Sequence, residues 1–262
     1  MPDIAKFDPD FTKGIKDKAG GFVKRYFRSD VRGLDSFPAK GGALVVSNHS
    51  GGALTPDLLV FGTAFYDTFG YSRPLYTLAH DQVYMGPFAD WLPRAGVIHA
   101  NRENAASALR SGGVVLVFPG GDFDSYRPTS AEHVIDFNGR TGYVNTAIEA
   151  RVPIVPVVSI GAQEGQFFLT RGTGLAKRLG LNRLRIEILP ISVGFPFGLS
   201  VLIFPPNLPL PTKVVTQVLK PVRIARKFGK NPDVDEVDAH VRSVMQAELD
   251  GLARERRFPV LG

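Results

Sequence analysis

Val45-Val46-Ser47-Asn48-His49-Ser50-Gly51-Gly52-Ala53-Leu54-Thr55-Pro56-Asp57 passes from an apolar run, through a loop of small residues, into a helix start. A buried strand that gives way to a loop and then a helix is the repeating unit of α/β folds. The loop presents His49 between polar Asn48 and Ser50, with Gly51 and Gly52 following, and chemistry is concentrated on loops of this kind. Histidine has the ordinary side-chain pKa nearest neutrality, and a carboxylate on its second ring nitrogen would fix the tautomer and stabilise the imidazolium. Asp57 is the nearest candidate. Thr55-Pro56-Asp57 is equally a helix N-terminus, with Thr55 as cap, Pro56 in the first position and Asp57 favourable to the dipole. His80, His99, His133 and His240 lack such a setting and read as surface or packing residues.

Outward from this segment, apolar runs predict strands over residues 43–47, 75–79, 97–99, 114–118 and 154–160, with later strands over 185–189 and 220–224. Helices are predicted over 56–66, 105–110 and 144–149, with a helical turn at 88–92 and Gly112-Gly113 ending the second of these helices. Residues 234–257 form a final helix with Val234, Val237, Val241, Val244, Met245, Leu249 and Leu252 on one face, a packing stripe. The alternation predicts an α/β fold, a mixed and partly parallel sheet flanked by helices, with function at the strand ends. One domain is expected over residues 1–262: a basic helical segment at 1–35, a catalytic core at 36–228 and a C-terminal helix at 229–262.

The chain of 262 residues has no cysteine, which excludes disulfides, thiolate metal sites and a cysteine nucleophile. No metal or cofactor is implied. The first twenty residues lack the apolar run of a secretory signal, so a cytoplasmic protein is expected. A formal net charge of +6 points to an anionic partner. Lys13, Lys16, Lys18, Lys24, Arg25, Arg28 and Arg32 alternate with Ile15, Phe22, Val23, Tyr26 and Phe27. Such a segment can lie on anionic lipid, each basic residue contributing ~1 kcal/mol, or be an ordinary helix with a solvated charged face. No nucleic-acid-binding signature is present, so nucleic acid is not an expected partner. Residues 188–212 carry no charge and include Phe195, Phe197, Leu199, Val201, Leu202 and Phe204. Pro190, Pro196, Pro205, Pro206, Pro209 and Pro211 would break a spanning helix. Loops and short strands are expected there, either lining the interior or dipping into a bilayer without crossing it; the protein is expected peripherally, on the inner face of a membrane.

Four blocks, in order, resemble the phospholipid and glycerol acyltransferase superfamily. They are Asn48-His49 with Asp57; Gly96-Val97-Ile98 through Arg102; Phe118-Pro119-Gly120-Gly121; and Val152-Pro153-Ile154-Val155-Pro156-Val157. The resemblance covers residues 26–227. It implies an acyltransferase-like fold and transfer of a fatty acyl group from acyl-CoA or acyl-ACP to a hydroxyl of a glycerolipid, lysophospholipid or related lipid. It also assigns His49 as base and Asp57 as its orienting partner. Two departures stand out. The family spacing is His-x-x-x-x-Asp, whereas seven residues separate His49 from Asp57. Three extra residues must bulge, and Gly51 and Gly52 can adopt the positive φ this needs. The common third block Phe-Pro-Glu-Gly-Thr-Arg-Ser reads Phe118-Pro119-Gly120-Gly121-Asp122-Phe123-Asp124, without its Glu and Arg. The Pro-Gly-Gly form is similar to the branch related to diacylglycerol acyltransferases and phytyl ester synthases, whose acceptors can be neutral.

In the expected reaction His49 takes the proton of the acceptor hydroxyl as its oxygen attacks the thioester directly. Backbone amides of Gly120 and Gly121 are candidate donors to the developing oxyanion, one such donor being worth roughly 3 kcal/mol; the glycines alternatively only make a turn. Arg102, Arg127 and Arg140 are candidates for gripping an acceptor phosphate, each alternatively a surface salt bridge. Two other readings are a serine hydrolase or thioesterase using Ser50, although no Gly-x-Ser-x-Gly elbow occurs, and a noncatalytic membrane lipid-binding protein.

Overall fold

Runs of β-branched residues that are buried on both faces read as strands of a covered parallel sheet, and the computed structural model builds its main sheet from them. It describes residues 3–262 except 87, 88, 185, 203 and 206. The first half of the chain forms α1 (Pro9–Tyr26), β1 (Asp30–Arg32), β2 (Ala43–Ser47), α2 (Pro56–Phe69), β3 (Leu75–Ala79), α3 (Trp91–Arg94), β4 (Val97–His99), α4 (Arg102–Arg110) and β5 (Val114–Val117). There follow α5 (Gly121–Ser125), α6 (Gly142–Ala150), β6 (Ile154–Ile160), β7 (Phe167–Thr170), α7 (Thr173–Arg178), β8 (Ile191–Gly194), β9 (Gly198–Val201), β10 (Val215–Val218), α8 (Ile224–Phe228) and α9 (Val234–Glu255).

The main sheet has the order β1-β10-β6-β2-β5-β3-β4. Strands β6, β2, β5, β3 and β4 are mutually parallel, and β10 runs antiparallel to β6. Successive side chains of a strand point to opposite faces. Leu44 and Val46 accordingly pack with α4, α6 and α9, where Val237, Val241, Met245 and Leu249 are fully buried. Ala43 and Val45 pack with Phe61, Phe65 and Tyr66 of α2 on the other side. Each fully buried aliphatic side chain is worth about 1.5–3 kcal/mol, so the periodic face of α9 supplies a large share of the cover on its side. Helix α1 is set on α2 through Val23, Phe27 and Val60, and Lys16 and Lys24 both pair with Asp67 of α2.

The proline-rich stretch folds as expected into loops and short strands. Strands β7, β8 and β9 make a separate antiparallel sheet. Among the described residues no helix is long and apolar enough to cross a membrane.

Several expected elements move. Residues 186–189 form no strand, because the Ile186 and Leu189 amides bond to the carbonyls of Leu181 and Arg171 rather than to a ladder; residue 185 lies outside the described residues. The strand expected at 220–224 occurs earlier, as β10. Pro221 has no amide to donate, and only an isolated bridge joins Val222 to Ile154. Of the turn expected at 88–92, residue 88 lies outside the described residues and helix begins at Trp91. Helix α4 begins earlier than expected, at Arg102, where the Asn101 side chain accepts from the Asn104 amide.

Candidate active site

Strand β2 ends inside the fold, and the residue after it continues the sheet with its side chain. The Asn48 amide group donates to the Ser159 carbonyl at 2.9 Å and accepts from the Ser159 N–H at 2.8 Å, reproducing a backbone pair with β6. His49 follows at the carboxyl end of this central strand, where open α/β sheets place their ligand crevices. The chain then doubles back. Gly51, Gly52 and Thr55 have φ of 88°, 70° and 45°, and a Cβ on Gly51 would stand 2.7 Å from the Pro56 ring. The longer spacing is thus absorbed by a left-handed excursion that glycine allows. Thr55, in that excursion, makes no capping bond to α2, contrary to the expected cap.

The excursion brings Asp57 back under His49. Asp57 Oδ2 lies 2.9 Å from His49 Nδ1 and also accepts from the Ser50 amide at 2.8 Å. Its Oδ1 accepts from the Leu58 amide at 2.8 Å. The side chains are 13% and 2% exposed, and the His49 ring stacks on Phe118 at 4.2 Å. Burial disfavours the imidazolium, but the charge and hydrogen bond of Asp57, aided by Asp124, outweigh burial and the opposing charge of Arg127. The His49 pKa is therefore raised above its ordinary value. Nδ1 is occupied, and Nε2 has no hydrogen-bond partner among the described residues.

A second buried layer holds the backbone of this histidine. The His49 amide donates to Asp124 Oδ2 at 2.6 Å, and the His49 carbonyl accepts from Arg127 at 2.7 Å. Arg127 also binds Asp124 Oδ1 at 2.5 Å, Ser50 Oγ at 2.8 Å and the Glu132 carbonyl at 3.1 Å. Gln163 joins the same layer, accepting from the Gly51 amide and donating to the Arg127 carbonyl.

The expectation that Arg127 grips an acceptor is corrected here. Arg127 is 1% exposed and its guanidinium donors are turned inward onto the loop that carries His49. Ser50, the nucleophile of the hydrolase reading, is likewise buried; its Oγ accepts from Arg127 and lies 3.4 Å from the Asn48 amide nitrogen, with no bond to the His49 ring. Gly121 is corrected as an oxyanion donor, since its N–H is committed to the Phe118 carbonyl at 3.0 Å. The Gly120 amide makes no hydrogen bond among the described residues. A Cβ at Gly120 would come within 2.4 Å of the Asp124 Cβ, so glycine is required there by close packing. Arg140 donates to the Gly120 carbonyl at 3.0 Å and faces Asp122 and Glu187 at 3.7 and 3.9 Å, bracing the third block. Arg102 is exposed at the start of α4, with no ion pair among the described residues. It lies at the same end of the sheet as His49, beyond β4, which is separated from β2 by β5 and β3.

Asp124, Asn48, Gln163 and Phe118 were not assigned roles from the sequence. For Asp124 the only local signal is an arginine three residues on; nothing nearby in the chain places it beneath residue 49.

A histidine–carboxylate pair at the carboxyl end of the central parallel strand, with one ring nitrogen open, is an arrangement of an α/β fold that can take up and return a proton. The acyltransferase family profile matches residues 28–160, which include all four blocks, Arg127 and Arg140. An uncharacterized protein of Mycobacterium tuberculosis is 32% identical over 257 residues, 96% of this chain and 69% of the relative. A Mus musculus protein named DGAT1/2-independent enzyme synthesizing storage lipids is 29% identical over 232 residues, 87% of this chain and 66% of the relative. The crystal structure of the 1-acyl-sn-glycerophosphate (LPA) acyltransferase PlsC from Thermotoga maritima shares the fold, with a TM-score of 0.56 at 18% identity, covering 92% of this chain and 81% of that one. The chain belongs to the acyltransferase family and is an enzyme that transfers acyl groups.

Proposed function

We propose that the protein moves a fatty acyl group from an acyl-CoA or acyl-ACP thioester to a hydroxyl of a glycerolipid, lysophospholipid or related lipid. The observation that carries the reading is the His49–Asp57 pair with Nε2 unengaged. In the proposed step the acceptor hydroxyl gives its proton to Nε2 while its oxygen bonds to the thioester carbonyl carbon. The carbonyl oxygen takes up negative charge near the Gly120 amide. The tetrahedral centre then collapses, the carbon–sulfur bond breaks, and the leaving thiolate recovers the proton from the imidazolium. Asp57 holds the tautomer and offsets the imidazolium charge throughout. No acyl-enzyme is formed, in keeping with the burial of Ser50.

The altered third block favours a neutral acceptor over a phosphorylated one, and the storage-lipid name of the mouse relative agrees with that direction. Of the two exposed cations in the candidate set, Arg140 faces Asp122 and Glu187, which leaves Arg102, without an ion pair among the described residues, for an acceptor phosphate. Peripheral attachment to an anionic membrane accompanies this reading, because the acceptor resides in lipid. The test is incubation with labelled acyl-CoA or acyl-ACP and a panel of glycerol 3-phosphate, lysophospholipids, mono- and diacylglycerols and long-chain alcohols, with products identified by mass. Acylated lipid products support transfer; free fatty acid regardless of acceptor would indicate a thioesterase, and no turnover a lipid-binding protein. Acylation of glycerol 3-phosphate or lysophosphatidic acid alone would overturn the neutral preference.

A further inference from the structure

Antiparallel sheets with one free face normally turn apolar residues inward and polar ones to water. The β7-β8-β9 sheet does the reverse along β8 and β9. Ser192 and Ser200 are buried, while Phe167, Leu169, Val193, Leu199 and Val201 point outward and are exposed. The β8–β9 turn adds Phe195 and Phe197, 66% and 59% exposed, and the following loop adds Phe204 at 67%. This lobe is built to persist without a covering partner: Asn207 donates to the Gly198 carbonyl and accepts from the Phe197 amide, at 2.7 and 3.0 Å. A large contiguous apolar surface marks an interaction site.

The charges around it select the occupant. Residues 188–212 contain none, whereas α7, which follows β7, exposes Leu175 and Leu179 beside Lys177 and Arg178. Helix α1 meets the same segment, since the Tyr26 hydroxyl donates to the Pro209 carbonyl at 2.8 Å. Residues at this helical spacing share a face, and Ile15, Lys18, Phe22 and Arg25 form an exposed stripe on α1. Lys13 pairs with Asp17, and Lys16 and Lys24 share Asp67. Lys18, Arg25, Lys177 and Arg178 have no ion pair among the described residues. An uncharged aromatic face bordered by unpaired cations complements the acyl region and headgroups of an anionic leaflet.

We propose that the outer face of the β7-β8-β9 sheet is a docking platform that inserts shallowly into an anionic phospholipid bilayer, with Lys18, Arg25, Lys177 and Arg178 at headgroup level. The inference deepens the lipid-acceptor reading above and rests on it for its purpose. The inner face of the same sheet adjoins the catalytic loop: Phe168 is buried, lies edge-on to Tyr126, and would meet a Cβ on Gly52 at 3.3 Å. Docking thereby holds the His49 loop one sheet away from the lipid that carries the acceptor.

The absence of cysteine permits a direct test. Single Phe197→Cys, Leu199→Cys and Phe204→Cys variants, with Glu149→Cys on α6 as control, are labelled with an environment-sensitive fluorophore. They are mixed with vesicles of equal parts phosphatidylcholine and phosphatidylglycerol, or of phosphatidylcholine alone. The expected result is a blue shift at 197, 199 and 204 and none at 149, weaker on the neutral vesicles. No shift at the three lobe positions, or an equal shift at 149, overturns the proposal. So does a blue shift without vesicles that grows with protein concentration, which would mean that a second copy covers the face. The triple variant Phe195→Ser/Phe197→Ser/Phe204→Ser should bind the anionic vesicles at least about a hundredfold more weakly, because apolar side chains gain their transfer free energy only on burial. It should still acylate a water-soluble short-chain acceptor at the wild-type rate. Unchanged vesicle binding overturns the platform. Failure of wild-type protein to acylate any acceptor overturns the acyl-transfer reading while the fluorophore result still decides docking.

Discussion

Asp57 Oδ2 stands 2.9 Å from His49 Nδ1 although eight positions of chain separate them, and the same oxygen takes the Ser50 amide. One carboxylate oxygen therefore fixes both the imidazole ring and the backbone immediately after it. Turning the ring away would cost this buried carboxylate one of its three hydrogen bonds, and a buried charge is destabilised by each partner it loses.

His49→Ala is expected to lower acyl transfer by about 100- to 10,000-fold, the usual contribution of a positioned base. The fold should survive, since the side chain sits on a loop and the Asp124 and Arg127 bonds go to its backbone. Steady-state turnover with circular dichroism as the folding control checks this; turnover near the wild-type level would remove His49 from the chemistry.

The pH profile follows from the raised His49 pKa. A base works in its neutral form, so kcat/KM should rise with pH through an inflection above the ordinary histidine value of about 6.5. Asp57→Asn removes the largest interaction that raises this pKa, the Asp57 charge, and leaves the smaller Asp124 contribution against the burial that lowers it. Its inflection should move to lower pH, with a reduced plateau. An unmoved inflection in the variant would show that another group titrates.

Arg127→Met should destabilise the protein by about 3–5 kcal/mol, the usual cost of removing one partner from a buried ion pair. Arg127→Lys should recover little of this, since an ammonium cannot reproduce the guanidinium fork that spans Asp124, Ser50 and the His49 carbonyl. Urea denaturation midpoints measure both variants. A wild-type midpoint for Arg127→Met would return the residue to a substrate role.

Arg102→Ala separates two roles for an exposed cation. If Arg102 grips an acceptor phosphate, KM for a phosphorylated acceptor should rise far more than for a neutral one, because only the former loses a charge-assisted contact. With a neutral natural acceptor, KM for that acceptor should be unchanged. Paired kinetics on lysophosphatidic acid and monoacylglycerol make the distinction.

Much of this architecture is legible in local patterns. The runs Ala43–Ser47, Val114–Val117 and Ile154–Ile160 read as buried strands by their shortness and β-branched content, and the spacing from Val237 to Leu252 is that of a helix with one covered face. His49 stands out because a polar, glycine-flanked histidine is poorly placed for a core. The glycines of the bulge also announced that Asp57 could return to His49. These signals are local because backbone propensity and side-chain period are properties of neighbouring residues.

What tertiary structure decided was the fate of each polar group after burial. Arg127 looks in the sequence like any arginine able to bind phosphate, yet Asp124, Ser50 and His49 converge on it. Asn48 completes a strand pair with Ser159, 111 positions away, and Gly121 spends its amide on a turn. The Thr55 hydroxyl was free to cap α2 until the bulge drew its backbone into the left-handed region. Likewise, an uncharged stretch rich in phenylalanine can be core or surface, and only the pairing of β7, β8 and β9 turned its aromatic residues outward. Propensity is set within a few residues, whereas desolvation and hydrogen-bond partnership depend on segments distant in the chain that meet only when the fold closes.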